Sequence, residues 1–288
     1  METKILILGV SGMLGCTLFQ YFLQNSSFTT YGTTRNSQPI SCKNHLFESS
    51  SIYPNIDANS LDKIENLITT LKPNIVINCI GIIKQLLIAK DPISSITINS
   101  LFPHQLAQLC QKYNAKLIQI STDCVFSGNK GNYTEQDNPD PIDLYGRTKL
   151  LGEVTSPNCL TIRTSIIGRE LNSQNSLVEW FISQKGKTVK GFDHAIYTGF
   201  TTQSLAQIIE KIILEQPDLE GLWHVSSDPI TKYQLLNMMN QAFNLGITIE
   251  KDESFICDRS LNSQKFRGFT GYTPPTWEEM IAQLAATQ

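Results

Sequence analysis

A glycine-rich turn between an apolar run and an amphipathic segment constrains the fold of this chain more than any other feature. Residues 4–8 are apolar and β-prone, which predicts a buried parallel strand. The turn Gly9-x-x-Gly12-x-x-Gly15 follows, and apolar residues then recur at helical spacing. Glycine permits a tight strand-to-helix turn, and its missing Cβ lets a ligand approach the backbone. We therefore predict a strand, a turn and a helix whose N-terminus can bind phosphate.

The glycine spacing departs from the common G-x-G-x-x-G pattern, because two residues separate the first pair. An ordinary glycine turn is therefore the alternative interpretation, and the flanking strand and helix weigh against it. On the binding interpretation, the turn cradles the diphosphate of a dinucleotide. Its candidate cofactor-binding residues are Gly9, Ser11, Gly12, Met13, Leu14 and Gly15.

Length and composition exclude several classes of protein. The 288 residues are 41% hydrophobic and 17% charged, which is typical of a soluble globular protein rather than a disordered one. A net charge of −3 gives no argument for nucleic acid, and no apolar run approaches the roughly 20 residues of a membrane span. Seven scattered cysteines and four unpatterned histidines predict free thiols and no metal site. With no room for a signal peptide before the first strand, we expect a cytoplasmic protein.

Alternating strand and helix signals organise the first part of the chain. They predict an α/β domain over residues 1–164, with a parallel sheet covered on both faces. The alternation loosens afterwards, which predicts a smaller lobe over residues 165–288 whose segments can return to the sheet. Strands are predicted at 28–33, 74–80, 116–120, 160–162, 188–190 and 222–224, and the polar stretch 36–51 as a loop. Helices are predicted at 60–71, 101–113, 144–154, 176–183, 203–214, 232–243 and 276–284.

Tyr145 and Lys149 lie four residues apart and so share one face of the predicted helix 144–154. A tyrosine is a poor acid at neutral pH, and a nearby ammonium is expected to lower its pKa. Such a tyrosine can protonate a carbonyl oxygen as hydride reaches the carbon, and the lysine can hydrogen-bond ribose hydroxyls. Many helices carry this spacing by chance, so a solvated pair is the alternative.

Thr122 follows the strand predicted at 116–120, where a side chain emerges at the carboxyl edge of the sheet. Its hydroxyl can orient a substrate carbonyl beside Tyr145. A simple strand-end or cap residue is the alternative interpretation.

Three segments together resemble the extended short-chain dehydrogenases/reductases, and among them the dTDP-4-dehydrorhamnose reductase-like proteins. They are residues 9–15, 121–128 and 144–153, with further resemblance at 78–81, 163–165, 221–226 and 259–263. The resemblance implies a Rossmann-type doubly wound parallel sheet with a smaller C-terminal substrate-binding lobe. It also implies a catalytic triad of Thr122, Tyr145 and Lys149, the last two also touching the cofactor, and nicotinamide contacts from Cys79, Ile80 and Gly81.

Cys124 is a departure from the family pattern. Sugar-nucleotide 4,6-dehydratases of the wider superfamily carry a glutamate there, which handles the C5 proton. The absence of this glutamate here argues against a dehydration reaction. The most similar reductases carry a tyrosine there, so the fit of the substrate differs from theirs.

Arg35 bears on the choice of cofactor. It follows the second predicted strand, where an arginine can bind a 2′-phosphate and an acidic residue would favour NAD. Thr33 and Thr34 can add hydroxyl donors. We therefore expect NADPH over NADH, with a solvent-facing arginine as the alternative. Asp57 resembles the adenine-contacting aspartate of the family, or caps the helix beginning near Ser60.

The resemblance implies reduction of a nucleotide-linked 4-keto-6-deoxy sugar. Lys84 and Arg259 are candidate diphosphate ligands of that substrate, with a solvated lysine and a structural salt bridge as alternatives. Helices 101–113 and 144–154 match a homodimer interface of the superfamily. The other functions left open are a sugar-nucleotide epimerase and a non-catalytic regulatory subunit like that of methionine adenosyltransferase.

Overall fold

The computed structural model describes residues 2–36, 41–42, 45–46, 51–170 and 174–286, the two pairs 41–42 and 45–46 by backbone alone. Its strands are β1 Thr3–Leu8, β2 Phe28–Thr33, β3 Ser41–Cys42, β4 His45–Leu46, β5 Ile52–Tyr53, β6 Ile75–Asn78, β7 Lys116–Thr122, β8 Cys159–Thr164, β9 Ile166–Ile167, β10 Thr188–Phe192, β11 Ala195–Tyr197, β12 Phe200–Thr201, β13 Gly221–His224, β14 Ile230–Thr231, β15 Thr248–Asp252 and β16 Cys257–Asp258.

The helices alternate with these strands. They are α1 Met13–Leu23, α2 Leu61–Leu71, α3 Pro92–Ile96, α4 Phe102–Lys112, α5 Leu144–Leu151, α6 Leu177–Ile182, α7 Thr202–Glu215, α8 Lys232–Phe243, α9 Gln264–Thr270 and α10 Trp277–Ala286. A π-helical turn, Thr97–Leu101, joins α3 to α4. No helix in the described ranges has the length and apolar character that crossing a membrane requires.

Seven parallel strands form the central sheet, in the order β13-β8-β7-β6-β1-β2-β5. The chain moves outward from β1 to β2 and β5, then returns to the other side of β1 with β6. The order therefore reverses between β1 and β6, and such a switch point opens a crevice at the carboxyl ends of the strands. The predicted α/β, Rossmann-type parallel sheet is confirmed.

Alternate residues of β1 bury the two faces of the sheet, as the period of two in a strand requires. Ile5 and Ile7 face the core that includes residues of α1, α7, α8 and α10. Leu6 and Leu8 face the core built from α2 and α4. Because both faces are covered, the strand reads as a continuous apolar run.

The C-terminal segment divides between the central sheet and a smaller lobe. Gly221–His224 forms the edge strand β13 beside β8. Helix α7 lies against α1, where Thr17 Oγ1 donates to Thr202 Oγ1 over 3.0 Å. The lobe contains the pair β10-β15 and the three-stranded sheet β14-β11-β16. Helix α9 and the two-residue strands were not predicted from the sequence, because segments this short carry no clear periodicity.

Candidate functional site

A cleft of about 590 Å³ opens at the carboxyl edge of the central sheet, between the sheet and the smaller lobe. The loops after β1, β6, β7 and β8 form one side of it, and residues of β11, α8 and the segment around β16 form the other. Predicted site residues that line it are Ser11, Gly12, Met13, Leu14, Cys79, Ile80, Gly81, Lys84, Thr122, Tyr145, Lys149 and Arg259. Gly9, Gly15, Arg35 and Asp57 lie outside its lining.

The glycine turn has the geometry that a bound diphosphate needs. Gly9 has a φ of +85°, a left-handed conformation that favours glycine. A Cβ on Gly15 would lie 2.3 Å from the carbonyl oxygen of Gly9, so α1 packs against the turn without a side chain. Gly12 is the N-cap of α1 and offers no side-chain hydrogen bond to the first turn. The N-terminus of α1 therefore faces the cleft with backbone N–H groups open to an anion. The turn fits a dinucleotide diphosphate.

Helix α5 places Tyr145 and Lys149 in the cleft. Asp143 begins the helix by accepting a hydrogen bond from Gly146 N–H over 2.7 Å. A Cβ on Gly146 would lie 2.2 Å from the carbonyl oxygen of Cys124, so the helix packs directly on the segment after β7. Lys149 is 8% exposed, and its Nζ donates to the carbonyl oxygen of Ile120 over 2.6 Å.

The pKa shifts correct the expectation that Lys149 acidifies Tyr145. Burial raises the pKa of the Tyr145 phenol, Cys124 adds to the rise, and Thr122 acts in the opposite direction. Burial also lowers the pKa of Lys149 to about 8, which Glu153 and Cys79 partly offset. Desolvation sets the direction of the Tyr145 shift, and Lys149 is not among the groups that cause it. Tyr145 stays protonated at neutral pH, which is the form that an acid needs before it donates a proton.

Thr122 ends β7 next to this pair. Its Oγ1 donates to Asp123 Oδ1 and accepts from Cys124 N–H, each over 3.1 Å. Tyr145 lines the same cleft, and Thr122 acts on the pKa of its phenol. The fold therefore assembles Thr122, Tyr145 and Lys149 at one point of the cleft, although residues 123–143 separate β7 from α5 in the chain.

Asn99 is a site-supporting residue that the sequence reasoning missed. It is buried in the π-helical turn, and its amide accepts from Ile82 N–H and donates to the Ile82 carbonyl, each over 2.9 Å. This pair of bonds anchors the loop that carries Cys79, Ile80 and Gly81 into the cleft. Thr148 also accepts from Asn99 over 3.3 Å, which links the loop to α5. A π-bulge of this kind is frequent at functional sites. It could have pointed to Asn99, but it is visible only in the tertiary structure.

Arg35 and Asp57 each follow a residue of one backbone hydrogen bond, in which Ile56 N–H donates to Thr34 O over 3.0 Å. Arg35 is exposed there and forms no ion pair among the described residues. Asp57 accepts from the backbone and side chain of Asn59 over 2.8 and 2.7 Å, so it shapes the loop before α2 rather than capping the helix itself.

The neighbouring threonine hydroxyls already have structural partners. Thr33 Oγ1 accepts from Gly9 N–H over 3.2 Å, which braces the glycine turn. Thr34 Oγ1 donates to Asn36 O over 2.8 Å. Both side chains are buried, so neither hydroxyl is exposed to donate to a 2′-phosphate.

Lys84 and Arg259 line the cleft together with Cys124. Arg259 donates from Nε to the Phe126 carbonyl over 2.9 Å, and its Nη1 lies 3.7 Å from Cys124 Sγ. The structural salt bridge offered as the alternative for Arg259 does not occur among the described residues. Burial raises the pKa of the Cys124 thiol to about 11, so it stays protonated.

A buried network of polar side chains follows helix α5, which carries Tyr145 and Lys149. Arg163 on β8 binds Glu153 with two hydrogen bonds of 2.8 and 2.7 Å. Its Nη1 donates to His224 Nε2 over 3.2 Å, and His224 Nδ1 donates to Tyr133 O over 3.0 Å. Burial lowers the pKa of His224 to about 4, so the ring is neutral and accepts at Nε2. The network joins β8, β13 and the end of α5.

Two kinds of characterised protein are similar in sequence. The beta subunit of methionine adenosyltransferase 2 from Mus musculus is 26% identical over 255 residues, 84% of this chain and 72% of the relative. A dTDP-4-dehydrorhamnose reductase from Aggregatibacter actinomycetemcomitans is 25% identical over 241 residues, 80% of this chain and 75% of the relative. By sequence identity, this chain is as similar to a subunit of another enzyme as it is to a reductase.

Solved structures agree on the fold. A dTDP-4-dehydrorhamnose reductase from Bacillus anthracis str. Ames, in complex with NADP, has a TM-score of 0.81 at 22% identity and full coverage of both chains. A UDP-glucose 4-epimerase from Thermus thermophilus, in complex with NAD, has a TM-score of 0.79 at 14% identity, covering 99% of this chain and 98% of the other. The family described as the RmlD substrate binding domain matches residues 3–287, and the chain belongs to this family.

Proposed function

We propose that this protein is a reductase that uses NADPH to reduce the ketone of a nucleotide-linked 4-keto-6-deoxy sugar. The observation that carries the proposal is the assembly of Thr122, Tyr145 and Lys149 beside a glycine turn open to a diphosphate. Of the family's activities, ketone reduction needs a hydride donor, a proton donor and a group that orients the carbonyl. The cleft offers residues for the last two, and its glycine turn can hold the cofactor that donates the hydride.

The nicotinamide, when bound, supplies the hydride. Tyr145 holds a proton at its Oη, and its raised pKa keeps that proton in place until the ketone oxygen gains negative charge. Thr122 supplies a second hydroxyl on the same side of the cleft and orients the carbonyl. Lys149, held by the Ile120 carbonyl, contacts the ribose hydroxyls and adds positive charge near the developing alkoxide.

The residues around the glycine turn support a nicotinamide dinucleotide as cofactor. Ser11, Gly12, Met13 and Leu14 bind its diphosphate at the N-terminus of α1, with Gly9 and Gly15 shaping the turn. Cys79, Ile80 and Gly81 line the cleft and would hold the nicotinamide when the cofactor is bound. Asp57 contacts the adenine, and the exposed Arg35 binds a 2′-phosphate, which favours NADPH over NADH.

Substitution of Tyr145 by phenylalanine tests the reaction. With dTDP-, UDP- and GDP-linked 4-keto-6-deoxy sugars, the wild-type protein should oxidise NADPH with one nucleotide class, measured by nicotinamide absorbance. Tyr145→Phe should lower that rate at least about hundredfold, because general acid catalysis contributes roughly 10²–10⁴-fold. Tyr113→Phe, which removes a hydroxyl bonded to Glu65 away from the cleft, is the matched control.

A regulatory subunit is the second candidate, since the methionine adenosyltransferase subunit is as similar as the reductase. A regulatory subunit would bind the cofactor but oxidise none of it with any sugar, and Tyr145→Phe would change nothing. A sugar-nucleotide epimerase would turn over its substrate without net consumption of NADPH. Either result would refute the reductase.

A further inference from the structure

At the cleft, one buried tyrosine hydroxyl lacks a hydrogen-bond partner within the described part of the chain. Tyr197 is the last residue of β11, lines the cleft and is 9% exposed. Its phenol oxygen is buried, and none of the described residues forms a hydrogen bond with it. Buried polar groups in folded proteins nearly always have a partner, so an exception requires an explanation. Thr30, the other such hydroxyl in the described ranges, lies on β2 and outside the lining of the cleft.

Packing against two distant parts of the chain holds the Tyr197 ring in place. The ring lies against Trp277 of α10, with ring centroids 5.6 Å apart. A Cβ on Gly199 would lie 2.2 Å from the phenol oxygen, so the phenol takes the space that any other residue at 199 would fill. The Gly199 carbonyl is itself fixed by Ser227 Oγ, which donates to it over 2.6 Å. The position of the hydroxyl is therefore set by packing, and packing alone supplies no hydrogen bond.

The end of β8 places this hydroxyl near Thr122. Thr122 and Thr164 are paired in register on β7 and β8, and Ser165 follows Thr164. A Cβ on Gly199 would lie 2.3 Å from the Ser165 carbonyl oxygen as well as 2.2 Å from the phenol oxygen. The Tyr197 hydroxyl is thus beside the residue that follows the β8 partner of Thr122.

The electrostatic surroundings of the phenol agree with this position. Burial raises the pKa of the Tyr197 phenol, and Asp123 and Cys124, which also line the cleft, add to the rise. Ser165 acts in the opposite direction without completing a hydrogen bond. The phenol therefore stays protonated, so that it can donate one hydrogen bond and accept others from a ligand.

The sugar of the proposed substrate carries a polar group on one side of its ketone and an apolar group on the other. In a 4-keto-6-deoxy hexose, C3 bears a hydroxyl and C5 bears a methyl group. Because Thr122 orients the C4 carbonyl in the proposed reaction, the substituents of C3 and C5 come next to the residues that adjoin Thr122. A methyl group cannot satisfy a buried hydroxyl, whereas the C3 hydroxyl can both donate to it and accept from it.

We infer that Tyr197 hydrogen-bonds the C3 hydroxyl of the sugar and is a specificity-determining residue of this protein. The inference rests on the proposed function, because it takes the ligand to be a 4-keto-6-deoxy sugar. A site that holds a buried polar group for one ligand hydroxyl disfavours an analogue that lacks this hydroxyl, since the buried group then stays unpaired. Tyr197 therefore selects sugars with a hydroxyl at C3 over 3-deoxy sugars.

Calorimetry with saturating NADP⁺ tests the assignment on stable sugar nucleotides. The probes are a dTDP-, UDP- or GDP-linked 6-deoxyhexose, whichever binds, and the 3,6-dideoxyhexose linked to the same nucleotide. Wild-type protein should bind the 6-deoxyhexose about tenfold more tightly, which is typical of one hydrogen bond. Tyr197→Phe should weaken the 6-deoxyhexose by about tenfold and change the 3,6-dideoxyhexose by less than about twofold. The variant should therefore bind the two sugars equally.

Two other tyrosines provide matched controls. Tyr113→Phe removes a hydroxyl bonded to Glu65 away from the cleft and should leave both affinities unchanged. Tyr133→Phe removes a hydroxyl that accepts from two backbone N–H groups over 3.2 and 3.1 Å, and it should lower the melting temperature. Tyr197→Phe should melt at or above the wild-type temperature, because it removes a buried hydroxyl that the described residues leave unpaired.

Three outcomes would overturn the assignment. They are a wild-type protein that binds neither sugar or binds both equally, an unchanged 6-deoxyhexose affinity in Tyr197→Phe, and equal weakening of both sugars in that variant. The second outcome would identify a buried water as the partner of the phenol. Discrimination between the sugars without NADPH oxidation by any keto sugar would leave Tyr197 assigned and refute the reductase. NADPH oxidation without discrimination would do the reverse.

Discussion

Lys149 occupies a position that costs stability in the unliganded protein. The residue is 8% exposed, its ammonium has one carbonyl acceptor at 2.6 Å, and burial lowers its pKa to about 8. Over the range between that pKa and the ordinary value of 10.5, the unfolded state binds the additional proton. The free energy of unfolding therefore rises with pH across this window, and the cost is fully present below pH 8.

Replacing Lys149 by methionine should make the apoprotein more stable while abolishing activity. We expect a gain of about 2 kcal/mol in the free energy of unfolding at pH 7, because a buried charge is removed at similar side-chain volume. The gain should shrink by about 2 kcal/mol when the pH is raised to about 9.5. Urea denaturation at the two pH values measures both effects.

The exposed Lys187→Met variant is the comparison, and its stability should stay within about 0.5 kcal/mol of wild type at both pH values. A Lys149→Met protein that is less stable than wild type at pH 7 would show that the ammonium is a net stabilising group. A lysine that lowers the stability of the protein and places a positive charge in the cleft fits the pattern expected of a functional residue.

At the scale of one element, the N-terminus of α1 depends on two glycines for different reasons. A Cβ on Gly15 would meet the Gly9 carbonyl oxygen at 2.3 Å, whereas the nearest atom to a Cβ on Gly12 is 3.5 Å away. Gly15 therefore serves the packing of helix on turn. Gly12 lines the cleft, so its missing side chain serves the approach of a ligand.

Alanine at each position should separate these two roles. Gly15→Ala should lower the free energy of unfolding by about 1–3 kcal/mol, since the backbone of the turn must shift. Gly12→Ala should leave stability within about 0.5 kcal/mol and still weaken cofactor binding. Thermal denaturation without ligand and titration with NADPH distinguish them. Equal stability of the two variants would contradict the packing role of Gly15.

At the scale of the whole molecule, one buried ion pair joins the sheet to the end of the helix that carries Tyr145 and Lys149. The side chains of Arg163 and Glu153 are 3% and 8% exposed, and Ser121 also donates to Glu153 over 2.7 Å. Through His224 the network reaches β13, which the chain forms only after residue 220. Residues far apart in sequence thus support one corner of the cleft.

Removing the charge of one partner of this pair should lower the free energy of unfolding much more than removing both charges. Arg163→Met should lower the free energy of unfolding by about 3–5 kcal/mol, because it leaves a buried carboxylate without its partner. Adding Glu153→Gln should recover part of that loss, and chemical denaturation measures the difference. Lys112→Met, which breaks the exposed pair with Glu65, should change stability by less than about 1 kcal/mol. Additive effects of Arg163→Met and Glu153→Gln would contradict the coupling.

Local sequence patterns were enough to predict most of the strands and helices. The apolar run at residues 4–8, the glycine turn and the spacing of Tyr145 and Lys149 are short-range features, and the structure places them on β1, at the start of α1 and on α5. Helix α8 begins and ends where its pattern indicates, at Lys232 and Phe243. These predictions succeed because strand and helix periodicities are properties of neighbouring residues.

What the sequence by itself determined is therefore the order of the elements, the parallel α/β fold and the residues that carry family motifs. Only the tertiary structure decided that β13 returns to the sheet, that Asn99 anchors the loop after β6, and that Lys232 and Phe255 face the cleft. It also decided the direction of the Tyr145 pKa shift, which follows from burial rather than from Lys149. Burial and long-range contact depend on how distant segments pack, and no local pattern encodes them.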